Sequence, residues 1–302
     1  MSNRPFVSVI TPTYNRRRFL PILIHLYQEQ TYPKNLRELV ILDDSPTSNE
    51  DLIPKDDPSI RYIYQSNKLT LGEKRNKLNN LAKGEIILCF DDDDYHYPER
   101  ITHSVTRMNA EKTNIAGCST INVYYTHIKE MYQYGPFGNN HGTNGTFAFR
   151  KSYLQTHEHD PTKNAQEEPS FTNNFTERMS QLSADKTIIC ISHDTNTFDK
   201  KFLLHQKKRV MGGQIKKVVK DKKYINFLRE LELEQKQDVN VNIPQPPPHI
   251  VNNLTPEQIQ QLMQQQTNNL TPQQIQQLMQ QTNLQQMTKF QEDIVSSGSK
   301  SS

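Results

Sequence analysis

The stretch Gly84-Glu85-Ile86-Ile87-Leu88-Cys89-Phe90-Asp91-Asp92-Asp93-Asp94 decides the reading of this chain. Six residues from Glu85 to Phe90 form a short, largely apolar run of the kind that fills a strand buried on both faces. Four consecutive carboxylates then follow with no spacer. Similar apolar runs lie upstream: Phe6-Val7-Ser8-Val9-Ile10 and Leu39-Val40-Ile41-Leu42, with Ile60-Arg61-Tyr62-Ile63-Tyr64 alternating as a further strand. Between them lie helical patterns. Leu20, Leu23, Ile24 and Tyr27 recur on one helical face behind a candidate cap at Asn15, and Glu73 to Ala82 reads as a helix stopped by a left-handed Gly84. Another helix begins at Pro98 and carries Ile101, Val105 and Met108.

Strands alternating with helices imply βαβ units around a mainly parallel sheet, whose ligands bind at the carboxyl ends of the strands. Each strand-end loop of the first half is polar or acidic: Thr11-Pro12-Thr13-Tyr14-Asn15, Asp43-Asp44 and the Asp91 cluster. Beyond it the pattern loosens. Ile115 to Tyr125 and Ile128 to Tyr134 read as strands around a turn, followed by Gly145 to Arg150 and Thr187 to Ser192.

Composition sets the boundaries. The chain has 302 residues, 33% hydrophobic, with a mean hydropathy of −0.82. The deficit is concentrated from Asp238 onward, where 16 Gln and the single aromatic Phe290 lie behind a Pro244-Gln245-Pro246-Pro247-Pro248 linker. In that tail Asn252 to Met263 recurs as Asn268 to Met279, each copy reading as a short Thr-Pro-capped helix with a narrow apolar stripe. Such stripes offer at most weak self-association. No run approaches the roughly 18 apolar residues of a membrane span, and three scattered cysteines exclude a disulfide scaffold. No secretory leader is seen after Met1, so a soluble, cytoplasmic protein is expected. Abundant Asn, Lys, Ile and Gln suggest an AT-rich genome such as that of some large DNA viruses, in which case virion association is a further expectation. The net charge of +3 divides into +10 between Lys200 and Arg229 and about −7 elsewhere. The basic stretch carries no aromatic-interleaved RNA-binding motif and no zinc spacing, so nucleic acid is not expected. It reads as a solvated helix face or a segment closing over a diphosphate.

Carboxylates crowded at a strand end are costly to leave ionised unless a cation sits among them. A hard divalent ion, Mg²⁺ or Mn²⁺, is the usual answer, and in an extended segment Asp91 and Asp93 point the same way.

In order and spacing, Val7 to Asn15, Gln30-Thr31-Tyr32-Pro33, Glu38 to Ser45, Lys74-Arg75-Asn76 and Lys83-Gly84-Glu85 leading into the Asp run resemble the family 2 glycosyltransferases of GT-A fold. The resemblance covers about Pro5 to Arg100 and continues more loosely to Arg229. It implies an α/β, Rossmann-like, mostly parallel mixed sheet flanked by helices. Residues 1–98 would form a nucleotide-sugar half, 99–237 an acceptor half for a glycan or protein, and 238–302 a separate tail. It implies inverting transfer from a nucleotide-diphosphate sugar, UDP-linked by expectation. Pro12, Thr13 and Tyr14 would line the nucleoside, Asp44 would meet the base with Asp43 nearby, and Arg75 would approach the diphosphate. Asp91, Asp92 and Asp93 match the D-x-D motif, with Asp93 on the metal and Asp91 on ribose or a metal-bound water. His193 would supply a further ligand. The base falls on Gln166-Glu167-Glu168-Pro169, where Glu168 stands at the family's Asp position; Glu167, Asp160 and Glu158 are the alternatives. His141 lies where acceptor or sugar contacts would be. Two other readings are a different metal-dependent transferase, such as a nucleotidyltransferase, and a non-catalytic sugar-nucleotide-binding module.

Overall fold

A computed structural model describes residues 4–197, 200–206, 208–211 and 215–234. The chain divides into two units, residues 1–238 and 239–302, and every described residue lies in the first. The Gln-rich repeats lie outside the described residues.

The apolar runs become the strands they predict. Strands β1 (Val7–Thr13), β2 (Arg37–Asp43), β3 (Ile60–Tyr64) and β4 (Ile86–Cys89) pair in parallel in the order β3-β2-β1-β4. The sequence continues through β5 (Tyr95–His96), β6 (Ile115–Gly117), β7 (Ile121–Tyr125), β8 (Glu130–Tyr134), β9 (Ala148–Arg150), β10 (Ser180–Gln181), β11 (Ile188–Ser192) and β12 (Arg209–Val210). Strand β9 pairs antiparallel with both β4 and β6, and β10 adds parallel to β6, giving a seven-stranded, mostly parallel mixed sheet. Register aligns Thr13 with Asp43 and Asp43 with Tyr64, so the strand-end loops emerge along one edge.

A second sheet, β12-β8-β7-β11-β5, is antiparallel except for β7 with β11. It corrects the expected continuous strand from Ile115 to Tyr125. The chain breaks after Gly117, and its two parts join different sheets. Gly145 likewise lies in a 3₁₀ turn over Asn144–Thr146, not in the strand.

The helices are α1 (Leu20–Gln28), α2 (Leu71–Leu81), α3 (Arg100–Glu111), α4 (Glu168–Phe171), α5 (Ile215–Val218) and α6 (Lys222–Glu234). Helix α1 is buried on two sides. Leu20, Leu23, Ile24 and Tyr27 pack on the first sheet's core, while Phe19, Ile22 and Leu26 pack with Tyr224, Leu228 and Leu231 of α6. On α6 the reading as a solvated helix face holds: apolar residues anchor the helix, and Lys222 and Lys223 face solvent.

Two cap expectations fail for physical reasons. Asn15 adopts φ 54° and donates its backbone N–H to Ser45 Oγ (2.8 Å), so α1 is capped by Phe19 without a side-chain bond. Helix α2 ends at Ala82 with extended backbone, and Gly84 is not left-handed. A Cβ on Gly84 would stand 2.4 Å from Ser8 N, so the position requires absence of volume. Gly84 N–H donates to Ser8 Oγ (2.8 Å), which donates to the buried Glu38 (2.6 Å).

Candidate active site

Beyond β4 the chain leaves the sheet at Phe90, whose N–H still bonds Ile10 O (3.0 Å), and turns through Asp92 and Asp93. The extended geometry expected for Asp91 and Asp93 is therefore replaced by a turn, and the four carboxylates diverge. Asp91 accepts from Arg75 Nη2 (3.3 Å). Asp92 accepts from Thr13 Oγ1 (2.6 Å). Asp93 meets His193 Nε2 (3.2 Å) and Asn196 Nδ2 (3.1 Å). Asp94 turns back to the Ile191 N–H of β11 (3.0 Å).

The electrostatics separate them further. Burial, reinforced by Asp93, raises the Asp92 pKa to about 7, and burial raises that of Asp94 to about 8. Burial opposes ionisation of Asp93 too, but His193, Lys200 and Arg16 hold it well below the usual carboxylate range. Arg16 reaches Asp92 (3.8 Å) and Asp93 (3.5 Å), and Lys200 lines the same cleft. Of the cations from Lys200 to Arg229, Lys200 alone lines it among the described residues. Behind the turn the fully buried Arg100 donates to Gly145 O (3.0 Å) and Cys89 O (3.3 Å).

Lys74-Arg75-Asn76 explains itself residue by residue. Lys74 Nζ donates to Thr13 O (3.1 Å) and pairs with Asp44. Arg75 Nε donates to Glu167 (2.6 Å) while its Nη2 holds Asp91, tying the D-x-D turn to the loop before α4. Asn76 bonds both backbone groups of His159 (2.7 and 2.9 Å). Asp44 also accepts Leu69 N–H (2.8 Å), so its oxygens are engaged by the protein. Asp43 is fully buried and bonds Asn49 Nδ2 (2.7 Å), Tyr62 OH (2.7 Å) and Ser45 N–H (2.9 Å), which makes it the anchor of its loop.

The cleft has a volume of about 550 Å³. It is lined by Pro12, Thr13, Tyr14, Arg75, Asp91, Asp92, Asp93, Glu167 and Glu168, which the sequence singles out, but not by Asp43, Asp44 or His193. Tyr14 has Lys68 over its ring at 4.2 Å. Glu168 accepts Asn144 N–H (3.1 Å), and burial together with Glu167 raises its pKa. Glu158 and Asp160 stay outside the lining, and Asp160 accepts from Thr162 instead. His141 lines the cleft, stacked on Phe175 with centroids 4.6 Å apart.

Among the described residues no group of three or more His, Cys, Asp and Glu gathers as a metal cage. Of the expected metal ligands Asp91, Asp93 and His193, Asp93 and His193 meet. Their facing atoms are 3.2 Å apart, close to the roughly 3 Å expected between neighbouring ligands on one ion at 2.0–2.2 Å bond lengths. That pair fits an ion that takes its other ligands from a diphosphate and water.

A mostly parallel sheet with an acidic turn at its strand ends and a cleft beside it constitutes a GT-A fold, the nucleotide-sugar-binding class of transferase. The sequence pattern described as glycosyl transferase family 2 matches residues 8–166, and the chain belongs to that family. A putative colanic acid biosynthesis glycosyl transferase, WcaA of Escherichia coli, is 35% identical over 106 residues, covering 34% of this chain and 37% of the relative. The putative teichuronic acid biosynthesis glycosyltransferase TuaG of Bacillus subtilis is 33% identical over 95 residues, 30% and 37% of the two chains. The matched stretch thus spans little more than a third of these relatives' length. Among solved structures, TarS 1–349 of Staphylococcus aureus in complex with UDP-GlcNAc aligns with a TM-score of 0.51 at 20% identity, over 63% of this chain and 59% of that one. The mannosyltransferase PcManGT of Pyrobaculum calidifontis, with GDP-Man and Mn²⁺, aligns at 0.50 and 16%, over 63% and 57%. No helix among the described residues is long and apolar enough to cross a membrane.

Sequence reasoning missed Arg16 and Gly145, and reached Lys200 only as the first residue of the basic stretch read as a solvated face or a segment closing over a diphosphate. A Cβ on Gly145 would stand 2.5 Å from Asp91 Oδ2, and no local pattern marks that closeness. Arg16 faces the acids across a long sequence separation, and the run Arg16-Arg17-Arg18 is its one local signal.

Proposed function

We propose that the protein transfers a hexose from a nucleoside-diphosphate sugar, UDP-linked, to an acceptor hydroxyl with inversion. One observation carries this reading: the turn bearing Asp91–Asp93 and the carboxylate of Glu168 line one cleft. Glu168 takes the proton of the attacking hydroxyl while the sugar–oxygen bond to the diphosphate breaks on the opposite face. Its raised pKa improves it as a base. Glu167 is committed to Arg75 and serves to hold the loop. Asp91 and Asp92 face the donor, with Thr13 and Tyr14 beside the nucleoside. Arg16 and Lys200 supply positive charge where the diphosphate leaves.

Asp93 and His193 would hold Mn²⁺ or Mg²⁺, which neutralises diphosphate charge when bound. PcManGT, which carries GDP-Man and Mn²⁺, supports the metal; UDP-GlcNAc in TarS and GDP-Man in PcManGT both support a nucleoside-diphosphate sugar, and the uridine choice follows TarS.

The test is Glu168→Gln, assayed with Mn²⁺, a panel of sugar nucleotides and candidate acceptors. Transfer should fall roughly 10²–10⁴-fold with donor affinity retained. Near-normal transfer would remove Glu168 from the role. Failure of the unaltered protein to bind or slowly hydrolyse any donor would sink the reading itself.

A further inference from the structure

Glu168 lies in a segment strained at both ends. Before it Gln166 adopts φ 59°, and after Thr172 three consecutive residues, Asn173, Asn174 and Phe175, adopt φ of 47°, 55° and 58°. Asn visits the left-handed region readily, whereas Gln and Phe are strained there, and such strain persists where surrounding structure fixes it. On one side the segment is fixed by the Arg75–Glu167 pair. On the other it is fixed by His159. This fully buried ring stacks on Phe171 of α4, with centroids 4.1 Å apart and planes at 6°. Its backbone is clamped by both polar atoms of the Asn76 amide.

Packing alone does not account for an imidazole at this position. A phenylalanine would stack on Phe171 equally well and would carry no polar nitrogen into the interior, where an unpaired one is costly. Among the described residues His159 Nδ1 has no hydrogen-bond partner, and Nε2 has one, Asn144 Nδ2 at 2.7 Å. Asn144 is buried too, and its Oδ1 is unpaired among the described residues, so the contact with His159 is what orients its amide. Burial, with Arg75 nearby, lowers the His159 pKa to about 2, so the ring is neutral and suited to pairing with an amide. Asn144 in turn reaches both sides of the proposed reaction. Its backbone N–H donates to Glu168 Oε1 (3.1 Å), and the next residue, Gly145, abuts Asp91 so closely that a Cβ would stand 2.5 Å from Oδ2. The 3₁₀ turn Asn144–Thr146 therefore spans from the base to the acidic turn, and His159 holds its first residue from behind.

We propose that His159 and Asn144 are positioning residues for the base: the imidazole fixes Asn144, and the Asn144 N–H fixes the Glu168 carboxylate at its distance from the acidic turn. The inference rests on the reading of Glu168 as the base. His159 lies outside the cleft lining, so it acts through Asn144 and not on a substrate. Loss of its hold slows the proton-transfer step and leaves donor binding alone. It also acts on the acid side of the pH profile. An N–H donated to a carboxylate favours the ionised form, so a loosened Asn144 lets the Glu168 pKa rise further above its ordinary value. The charged groups acting on Glu168 are Glu167 and Arg75, and Arg75 is the one acting on His159; the substitutions below leave both in place.

The full chain is assayed with Mn²⁺ and UDP-GlcNAc, UDP-Glc or GDP-Man, reading nucleotide release across the pH range. His159→Phe keeps the stack on Phe171 and removes the nitrogen. It should lower kcat about tenfold or more with the donor KM held within about twofold, and move the acid limb of the kcat profile upward by about half a pH unit. His159→Gln, whose amide extends toward the place of Nε2, should recover most of kcat and return the limb. Asn144→Ala removes the same contact from the other side while keeping the backbone N–H. It should act in the same direction, the two substitutions together should do no more than either alone, and it serves if His159→Phe fails to fold. Carboxyl-carbon NMR of Glu168, assigned through Glu168→Gln, reads the upward movement of its titration without any donor. A Glu168 titration and acid limb unmoved in both variants, a fall in kcat that His159→Gln does not recover, or a loss carried by KM would overturn the proposal. Retained transfer in Glu168→Gln, or no release from any donor by the unaltered chain, would sink the base reading and this inference with it. Lost transfer in Glu168→Gln beside unchanged behaviour of His159→Phe and Asn144→Ala would sink this inference alone.

Discussion

Gly145 and Asp91 meet at a distance that leaves no room for a methyl group. Gly145→Ala would push the carboxylate from its place against Arg75, and overpacking of this kind costs about 1–3 kcal/mol. Donor affinity, measured by calorimetry with a sugar nucleotide, should fall about tenfold or more, a loss of about 1.4 kcal/mol per decade. Gly84→Ala meets backbone instead, at Ser8 N, and should lower unfolding free energy in urea by a similar amount without acting on the cleft. His159 adds a pH dependence. Its buried ring stacks on Phe171 (4.1 Å) and lies 2.7 Å from Asn144 Nδ2, and burial, with Arg75 nearby, lowers its pKa to about 2. Below about 6.5 the unfolded chain takes a proton that the folded ring refuses, so stability declines as pH falls from 6.5 toward 2. At about 1.4 kcal/mol per pH unit, His159 alone removes about 2 kcal/mol by pH 5. Urea unfolding at pH 7 and pH 5 should show this, and His159→Phe should shrink the difference. An unchanged pH slope in that variant would contradict the assignment.

Helix α2 shows what a single element contributes to a site. Thr70 and Glu73 form a reciprocal capping box, with Thr70 Oγ1 accepting Glu73 N–H (3.2 Å) and Glu73 accepting Thr70 N–H (2.9 Å). The cap fixes the first turn, and the next residues each take a different partner: Lys74 takes Thr13 O and Asp44, Arg75 takes Glu167 and Asp91, and Asn76 takes the His159 backbone. Thr70→Ala should cost about 1 kcal/mol in thermal or urea unfolding. Elements of this kind are legible in sequence when their physics is local. Strands β1, β2 and β4 are continuous apolar runs, α1 shows its apolar spacing, and the acidic turn follows its strand directly. Strands β7, β8 and β11 are legible as strands but their membership of a second sheet is not, because the division of Ile115 to Tyr125 between two sheets depends on distant partners, β9 and β11. Helix α4 is a single turn, too short for periodicity, and its left-handed exit is invisible in Asn-Asn-Phe alone. Asp43 and Asp44 read correctly as strand-end acids, but their partners, Tyr62, Asn49 and Lys74, are supplied by β3, the loop before it, and α2.

At the scale of the molecule, the acidic cleft is held apart by the protein's own cations and is poised to gain stability from ligands. Asp93 is kept ionised by His193, Lys200 and Arg16, while Asp92 and Asp94 are pushed toward the neutral form. A divalent ion would add positive charge at the one carboxylate already favouring it, and a diphosphate would take up Arg16 and Lys200. Anything that binds the folded chain alone raises its stability by mass action, about 2.7 kcal/mol at a hundredfold excess over Kd. For a body of this size that corresponds to a rise in Tm of about 5–10 °C. Sugar nucleotide with Mn²⁺ should therefore raise Tm by that order, and a chelator should remove the metal's share. Asp93→Asn combined with His193→Ala should lose the Mn²⁺ increment while keeping a smaller rise from the sugar nucleotide, since Thr13, Tyr14, Arg16 and Lys200 are untouched. An Mn²⁺ increment that survives the double substitution would move the ion away from this pair and toward Asp91.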